Sequence, residues 1–186
     1  MLRIFFHSLL TLTLSFGSST LYASTYDDDV LDIYAKIIPR LILMSNEKAK
    51  YNERVEICVL HDKMDERSAL SLMEKISAEY PSGIKNLKIK MMNTGYANMD
   101  ICENSQMLFL FNSSDSNIEK ATKFSNEHKV MSMSYDAKYL ENGVALSLFL
   151  GRKVVPYINM NSFRKTGIEL DNVLLRISKI YTEDGK

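Results

Sequence analysis

Beyond Tyr26 the chain alternates between segments of helical periodicity and short apolar runs bounded by polar breaks. Val30, Ile33, Tyr34, Ile37 and Ile38 recur at helical spacing, with Asp28 and Asp29 at the positive end of the helix dipole. Pro39 is expected to stop or kink this helix near Ile38. Apolar residues continue to Met44, before a charged loop from Asn46 to Arg54. Val55 to Leu60 reads as a largely buried, β-branched strand, broken by His61-Asp62-Lys63-Met64-Asp65. A helix is expected from Glu66 to Tyr80, capped by Asp65 or its neighbours, with Ala69, Leu70, Met73, Ile76 and Tyr80 inward. Pro81-Ser82-Gly83 closes it.

Leu87 to Met91 alternates like a strand with one wet face, and Met107 to Phe111 reads as a buried strand. Asn117 to Glu127 has the pattern of a short helix, and Val130 to Met133 that of a brief strand. Val144 to Leu150 turns at Gly151-Arg152-Lys153 into Val154 to Asn159, a hairpin in which Pro156 must lie on an edge or at a bulge. A last helix is expected over Leu170 to Tyr181, with Val173, Leu174, Ile177 and Ile180 on one face. This order describes an α/β fold: a mixed sheet of about six strands flanked by helices, ending in a β-hairpin and a C-terminal helix.

The N-terminus changes the picture by fixing the compartment. Arg3 precedes an apolar stretch of roughly ten residues, and Leu21-Tyr22-Ala23 precedes the polar Ser24. Residues 1–23 therefore read as a cleaved signal peptide and 24–186 as a single domain. A spanning helix needs about 20 apolar residues, and here His7, Gly17 and several Ser and Thr interrupt the run. No cysteine follows the junction, which excludes a lipoprotein, and no later segment is apolar enough for a membrane span. The expected location is the periplasm.

The 186 residues are 46% hydrophobic and 25% charged, as in a globular domain. Losing Arg3 with the leader leaves 22 basic against 23 acidic side chains. So small a net charge draws the domain neither to nucleic acid nor to anionic lipid. Cys58 and Cys102 are too few for a zinc site. In an oxidising compartment they suggest one structural disulfide, and Cys58, inside an apolar strand, reads as either an inert thiol or half of that bridge.

Catalytic signatures are missing: no glycine-rich phosphate loop, no Gly-x-Ser-x-Gly elbow and no His-Glu-x-x-His pair occurs. The chain is read as not an enzyme, with no cofactor, no catalytic residues and no metal. His61 with Asp62 and Asp65 follows a strand at its carboxyl end, where α/β proteins place ligands, but a metal needs three or four convergent ligands. The group reads as a solvated loop beside a helix cap, and a hydrolase built on it is the least favoured hypothesis. His128 receives the same reading. The eleven methionines read as core filling. Phe149, Arg152, Tyr157 and Phe163 flank the hairpin and are the interface candidates, although the aromatic members read equally well as core.

At the hairpin and the end of the chain the residues resemble a known family. Gly143 to Leu150, Arg152 to Asn159, Thr166 to Leu170 and Leu174-Leu175-Arg176-Ile177 resemble the carboxyl-terminal signature of YfiR/HmsC-like periplasmic proteins. Ile57 to Leu60 and Met107 to Phe109 add further matches. There are departures: Ile38-Pro39-Arg40 stands where the family has a Trp-Pro corner, and Ser105 stands where its second cysteine tends to lie, three residues after Cys102. The resemblance implies a regulator of membrane signalling. Well-understood relatives are dimeric repressors that bind the periplasmic part of an inner-membrane diguanylate cyclase, restraining cyclic di-GMP synthesis and biofilm formation.

Two functional readings follow. The first is a periplasmic regulatory binding protein that restrains an inner-membrane sensor or diguanylate cyclase by protein–protein contact, as monomer or homodimer. The alternative is a small-solute-binding module feeding a membrane sensor, its ligand held near His61 and Asn112-Ser113-Ser114.

Overall fold

A computed structural model describes residues 26–45 and 53–182. The expected leader, 1–23, and residues 46–52 of the charged loop lie outside them. The order is α1 (Asp28–Leu43), β1 (Arg54–His61), α2 (Glu66–Glu79), β2 (Lys88–Gly95), β3 (Met107–Leu110), α3 (Asp115–His128), β4 (Met131–Ser134), β5 (Leu146–Leu150), β6 (Val154–Asn159), α4 (Met160–Thr166), α5 (Asn172–Ile177) and β7 (Lys179–Tyr181). The strands form one mixed sheet in the order β2-β1-β3-β4-β5-β6-β7. The first five run parallel, β6 returns antiparallel to β5, and β7 lies parallel to β6.

Strand periodicity sorts the core onto two faces. On one face, Ile57, Val59, Met107, Phe109, Met133 and Leu146 pack beneath α1 and α2. On the other, Cys58, Leu60, Leu108 and Leu110 meet Ile118, Ala121 and Phe124 of α3. β1 is buried from Val55 to His61 because both faces are covered, which is why it reads as a continuous apolar run.

Two expectations need correction. Pro39 does not end the first helix, which runs on to Leu43 with Ile38, Leu41 and Ile42 buried. An interior proline costs about 3 kcal/mol, whereas each such buried side chain contributes roughly 1.5–3 kcal/mol, so burial wins. Among the described residues the sheet has seven strands, in keeping with the expected mixed sheet of about six. The second correction adds the seventh: the segment read as one helix over Leu170–Tyr181 divides into α5 and β7. Only Leu174 of α5 is buried, while Val173, Ile177 and Ile180 face outward. Ser178 makes the break, its hydroxyl donating to the Leu174 carbonyl at 2.6 Å. The short helix α4 has its own signals, an Asn159 cap and a left-handed Gly167 at φ 70°. Pro156 lies one residue before β6 begins to pair with β7, where β6 is still an edge.

Cys58 on β1 and Cys102 on the short 3₁₀ turn Met99–Cys102 are joined by a disulfide, with Cα atoms 5.6 Å apart. Both residues are fully buried. The bridge spans a sequence separation of 44, for which the chain-entropy model gives about 4 kcal/mol. We expect Cys58→Ser/Cys102→Ser to lower the unfolding free energy by about 2–4 kcal/mol. Denaturant titration checks this, and an unchanged midpoint would contradict it.

Candidate functional site

The chain leaves β1 to form α2 on one face and leaves β3 to form α3 on the other. The two connections diverge between neighbouring strands, so their loops frame a crevice at the carboxyl ends, the position where open α/β sheets hold ligands. His61 to Asp65 form one wall and Phe111 to Ser114 the other.

Three phenols drawn from distant parts of the chain fill this crevice. Tyr26 donates to Asp65 Oδ2 at 3.0 Å and accepts from the Asn112 N–H at 2.9 Å. Tyr96 donates to the Phe111 carbonyl at 2.5 Å. Tyr139 donates to the Ser113 carbonyl at 2.8 Å and accepts from the Ser113 N–H at 3.1 Å. The Ser113 hydroxyl donates to Asp62 Oδ2 and accepts from Asn117 Nδ2, both at 2.8 Å. Asp65 caps α2 by position alone, since its carboxylate serves Tyr26 instead. Burial raises the Tyr26 and Tyr96 phenols well above the ordinary tyrosine value, with Asp65 and Asp62 respectively adding to the shift. Both of these hydroxyls therefore act as neutral hydrogen-bonding groups, and the crevice is a tied crest.

Open space lies beside the crest. A cleft of about 460 Å³ separates the start of α1 from α2, floored by Tyr26, Leu31 and Ser68 and walled by Arg67, Ser71 and Glu74. Residues 67, 71 and 74 fall on one stripe of α2. Among the described residues, neither Arg67 nor Glu74 has an ion-pair partner, whereas Asp28 across the cleft is paired with Lys75 at 2.9 Å. A larger cleft of about 690 Å³ sits at the other end of the sheet, between α4 and α5, with Phe163, Arg164 and Leu175 in its wall.

His61 is buried, its Nδ1 2.9 Å from the Asp62 carbonyl, and His128 stacks on Phe124 at 4.2 Å. Among the described residues, no group of three or more His, Cys, Asp or Glu is placed to hold a metal ion. Ser105 is fully buried beside the bridge segment, its N–H bonded to the Cys102 carbonyl at 2.9 Å. Of the interface candidates, Phe149 is 43% exposed and Arg152 is exposed, while Tyr157 is half-buried against Tyr181. Phe163 is only 3% exposed and packs into the core beneath the cleft between α4 and α5. Sequence reasoning missed Tyr26, Tyr96, Tyr139 and Arg67, because no local spacing links them.

Residues 38–179 match the family model described as YfiR/HmsC-like. The chain belongs to the YfiR/HmsC-like family. That family is periplasmic and non-catalytic, and no described helix of this member is long and apolar enough to cross a membrane. No curated protein matches it significantly. Among solved structures, this YfiR/HmsC-like chain is similar to a conserved domain protein from Vibrio cholerae O1 biovar El Tor, with a TM-score of 0.59 and 14% identity over 82% of the chain. It is also similar to the ABC domain in complex with L-Trp from Streptococcus pneumoniae, with a TM-score of 0.59 and 10% identity over 79% of the chain. It spans 60% of each of those structures. At such identities the likeness is one of fold alone.

The crest makes stability depend on alkaline pH. A tyrosine whose folded pKa is raised contributes stability that is complete below the unfolded value of about 10. That contribution is lost as pH climbs from there toward the folded value. We expect the denaturation midpoint to fall above about pH 10, and Tyr96→Phe to make the decline shallower. At neutral pH the same variant should lose about 1 kcal/mol with its hydrogen bond. An identical alkaline slope in both proteins would contradict the assignment.

Proposed function

We propose that this YfiR/HmsC-like protein is a periplasmic small-solute-binding module that reports to a membrane sensor. The ligand occupies the cleft between α1 and α2, beside the crest. The observation that carries this reading is Arg67, without an ion-pair partner among the described residues, above a floor made by Tyr26, whose hydroxyl reaches the loops after both β1 and β3. Arg67 suits an anionic group, while Ser71 and Glu74 suit a hydroxyl or ammonium further along the same ligand. A ligand that presses on Tyr26 acts on both loops at once. It passes a signal only insofar as it binds the two states of the crest with different affinity.

A second reading, restraint of a diguanylate cyclase or similar enzyme by direct contact, draws on the family and on the C-terminal edge of the sheet. There Tyr157 on β6 and the outward Val173, Ile177 and Ile180 leave apolar surface beside the edge strand β7. Recovery of a membrane sensor with the wild-type protein, but not with Ile177→Ser/Ile180→Ser, favours this reading.

The solute reading is tested by a thermal-shift screen of small anionic and zwitterionic metabolites. A ligand at 100 times its dissociation constant adds about 2.7 kcal/mol. The expected outcome is a hit whose shift disappears in Arg67→Ala and weakens in Glu74→Gln. An absence of hits, or hits indifferent to Arg67, overturns it.

A further inference from the structure

The exposed large apolar side chains are unevenly distributed. Phe149, Leu150, Val154, Val173, Ile177 and Ile180 all belong to the unit built from β5, β6, α5 and β7, leaving only Met64, Leu70 and Ile101 elsewhere among the described residues. Part of this unit is a protruding arm. β4 ends at Ser134, whose carbonyl accepts from the Ser147 hydroxyl at 3.0 Å. The β5–β6 hairpin continues three residues further to the Leu150–Val154 pair, about 10 Å beyond its neighbour. On the other side, β7 begins to pair only at Tyr157. The turn of the arm therefore stands clear of the sheet on both flanks, carrying Phe149, Leu150 and Val154 at 43%, 42% and 38% exposure.

Charge is segregated in the same way. From Asn142 to Ile168 the sequence contains Arg152, Lys153, Arg164 and Lys165 and no acidic residue. Arg176 and Lys179 follow on α5 and β7, and the Lys179 ammonium lies 3.5 Å above the Phe149 ring. The nearest carboxylates in the following chain, Glu169 and Asp171, sit at the opposite end of the sheet, where the Asp171 N–H bonds the Met44 carbonyl at the end of α1. At the arm's own end, Asp136 is paired with Lys138, and the Asp62 and Asp65 carboxylates of the crest accept from the Ser113 and Tyr26 hydroxyls. A net charge near zero thus conceals a basic, apolar arm.

We propose that the arm docks on the surface of a bilayer containing anionic phospholipid. Phe149, Leu150 and Val154 enter the headgroup region, while Arg152, Lys153 and Lys179 meet phosphates. Neither component suffices alone, since stable interfacial binding combines an apolar anchor with basic charge. The protein then presents its β6–β7 edge to the membrane, an arrangement that does not depend on what the cleft binds.

The test is co-sedimentation of protein purified from the periplasmic fraction with vesicles of phosphatidylglycerol or of phosphatidylcholine. Binding is expected only to phosphatidylglycerol and is expected to weaken as salt rises. Arg152→Glu/Lys153→Glu should reduce the partition coefficient by about 30-fold or more. Phe149→Ser/Leu150→Ser should reduce it with an unchanged melting temperature, because neither side chain belongs to the core. Absent or equal binding to the two lipids, or full retention by both variants, overturns the proposal. So does a concentration-dependent doubling of mass by light scattering that Phe149→Ser/Leu150→Ser abolishes without any effect on vesicles, which would make a second copy the occupant.

Discussion

β1 has a strand on each edge and cover on each face, and that double demand shapes the rest of the molecule. Its parallel partners β2 and β3 cannot be reached by tight turns, so each connection must travel over a face and return. α2 takes one face on the way to β2, and α3 takes the other on the way from β3 to β4. α1 fills the remaining groove beside α2, held there by buried Tyr34, Ile38 and Ile42 and pinned at its start by Lys75 between Asp28 and Asp32. The divergence of those connections creates the crevice, and the phenols that fill it are a consequence of closing it against water.

Much of this architecture was legible in the residues. The parallel strands are short apolar runs, and sheet strands covered on both faces have no other pattern to show. The loops at His61–Asp65 and Asn112–Ser114 were identifiable as framing the carboxyl ends of the strands because they follow such runs directly. What escaped was whatever depends on contacts distant in sequence. Tyr26 meets Asn112 across 86 residues and Tyr139 meets Ser113 across 26, and neither tyrosine differs locally from one used as core filler. The C-terminal misreading has a different origin. Val173, Ile177 and Ile180 keep helical spacing, and that periodicity normally marks a buried face. Here it belongs to side chains that the fold leaves outside, so the pattern held while its usual meaning failed.

The site that results is stiff at its centre and open at its side. Ser113 engages both its backbone groups and its hydroxyl, leaving the crest little freedom to rearrange piecemeal. A neutral phenol network of this kind carries no charge to hydrate, which suits a junction buried beneath two helix starts. Ion-pairing capacity appears only where solvent reaches, on the exposed stripe of α2. That division of labour fits recognition followed by mechanical transmission, and it fits a family without catalytic chemistry.

The bridge between Cys58 and Cys102 also constrains the order in which the protein is made. Thiol–disulfide exchange requires an attacking sulfur to approach in line, and in the finished fold neither sulfur is reachable. Oxidation must therefore come before β1 is sealed beneath its neighbours, while the newly exported chain is still open to an oxidant. Once the sheet has closed, ambient reductants meet an inaccessible bond, and the protein's redox history is settled at birth.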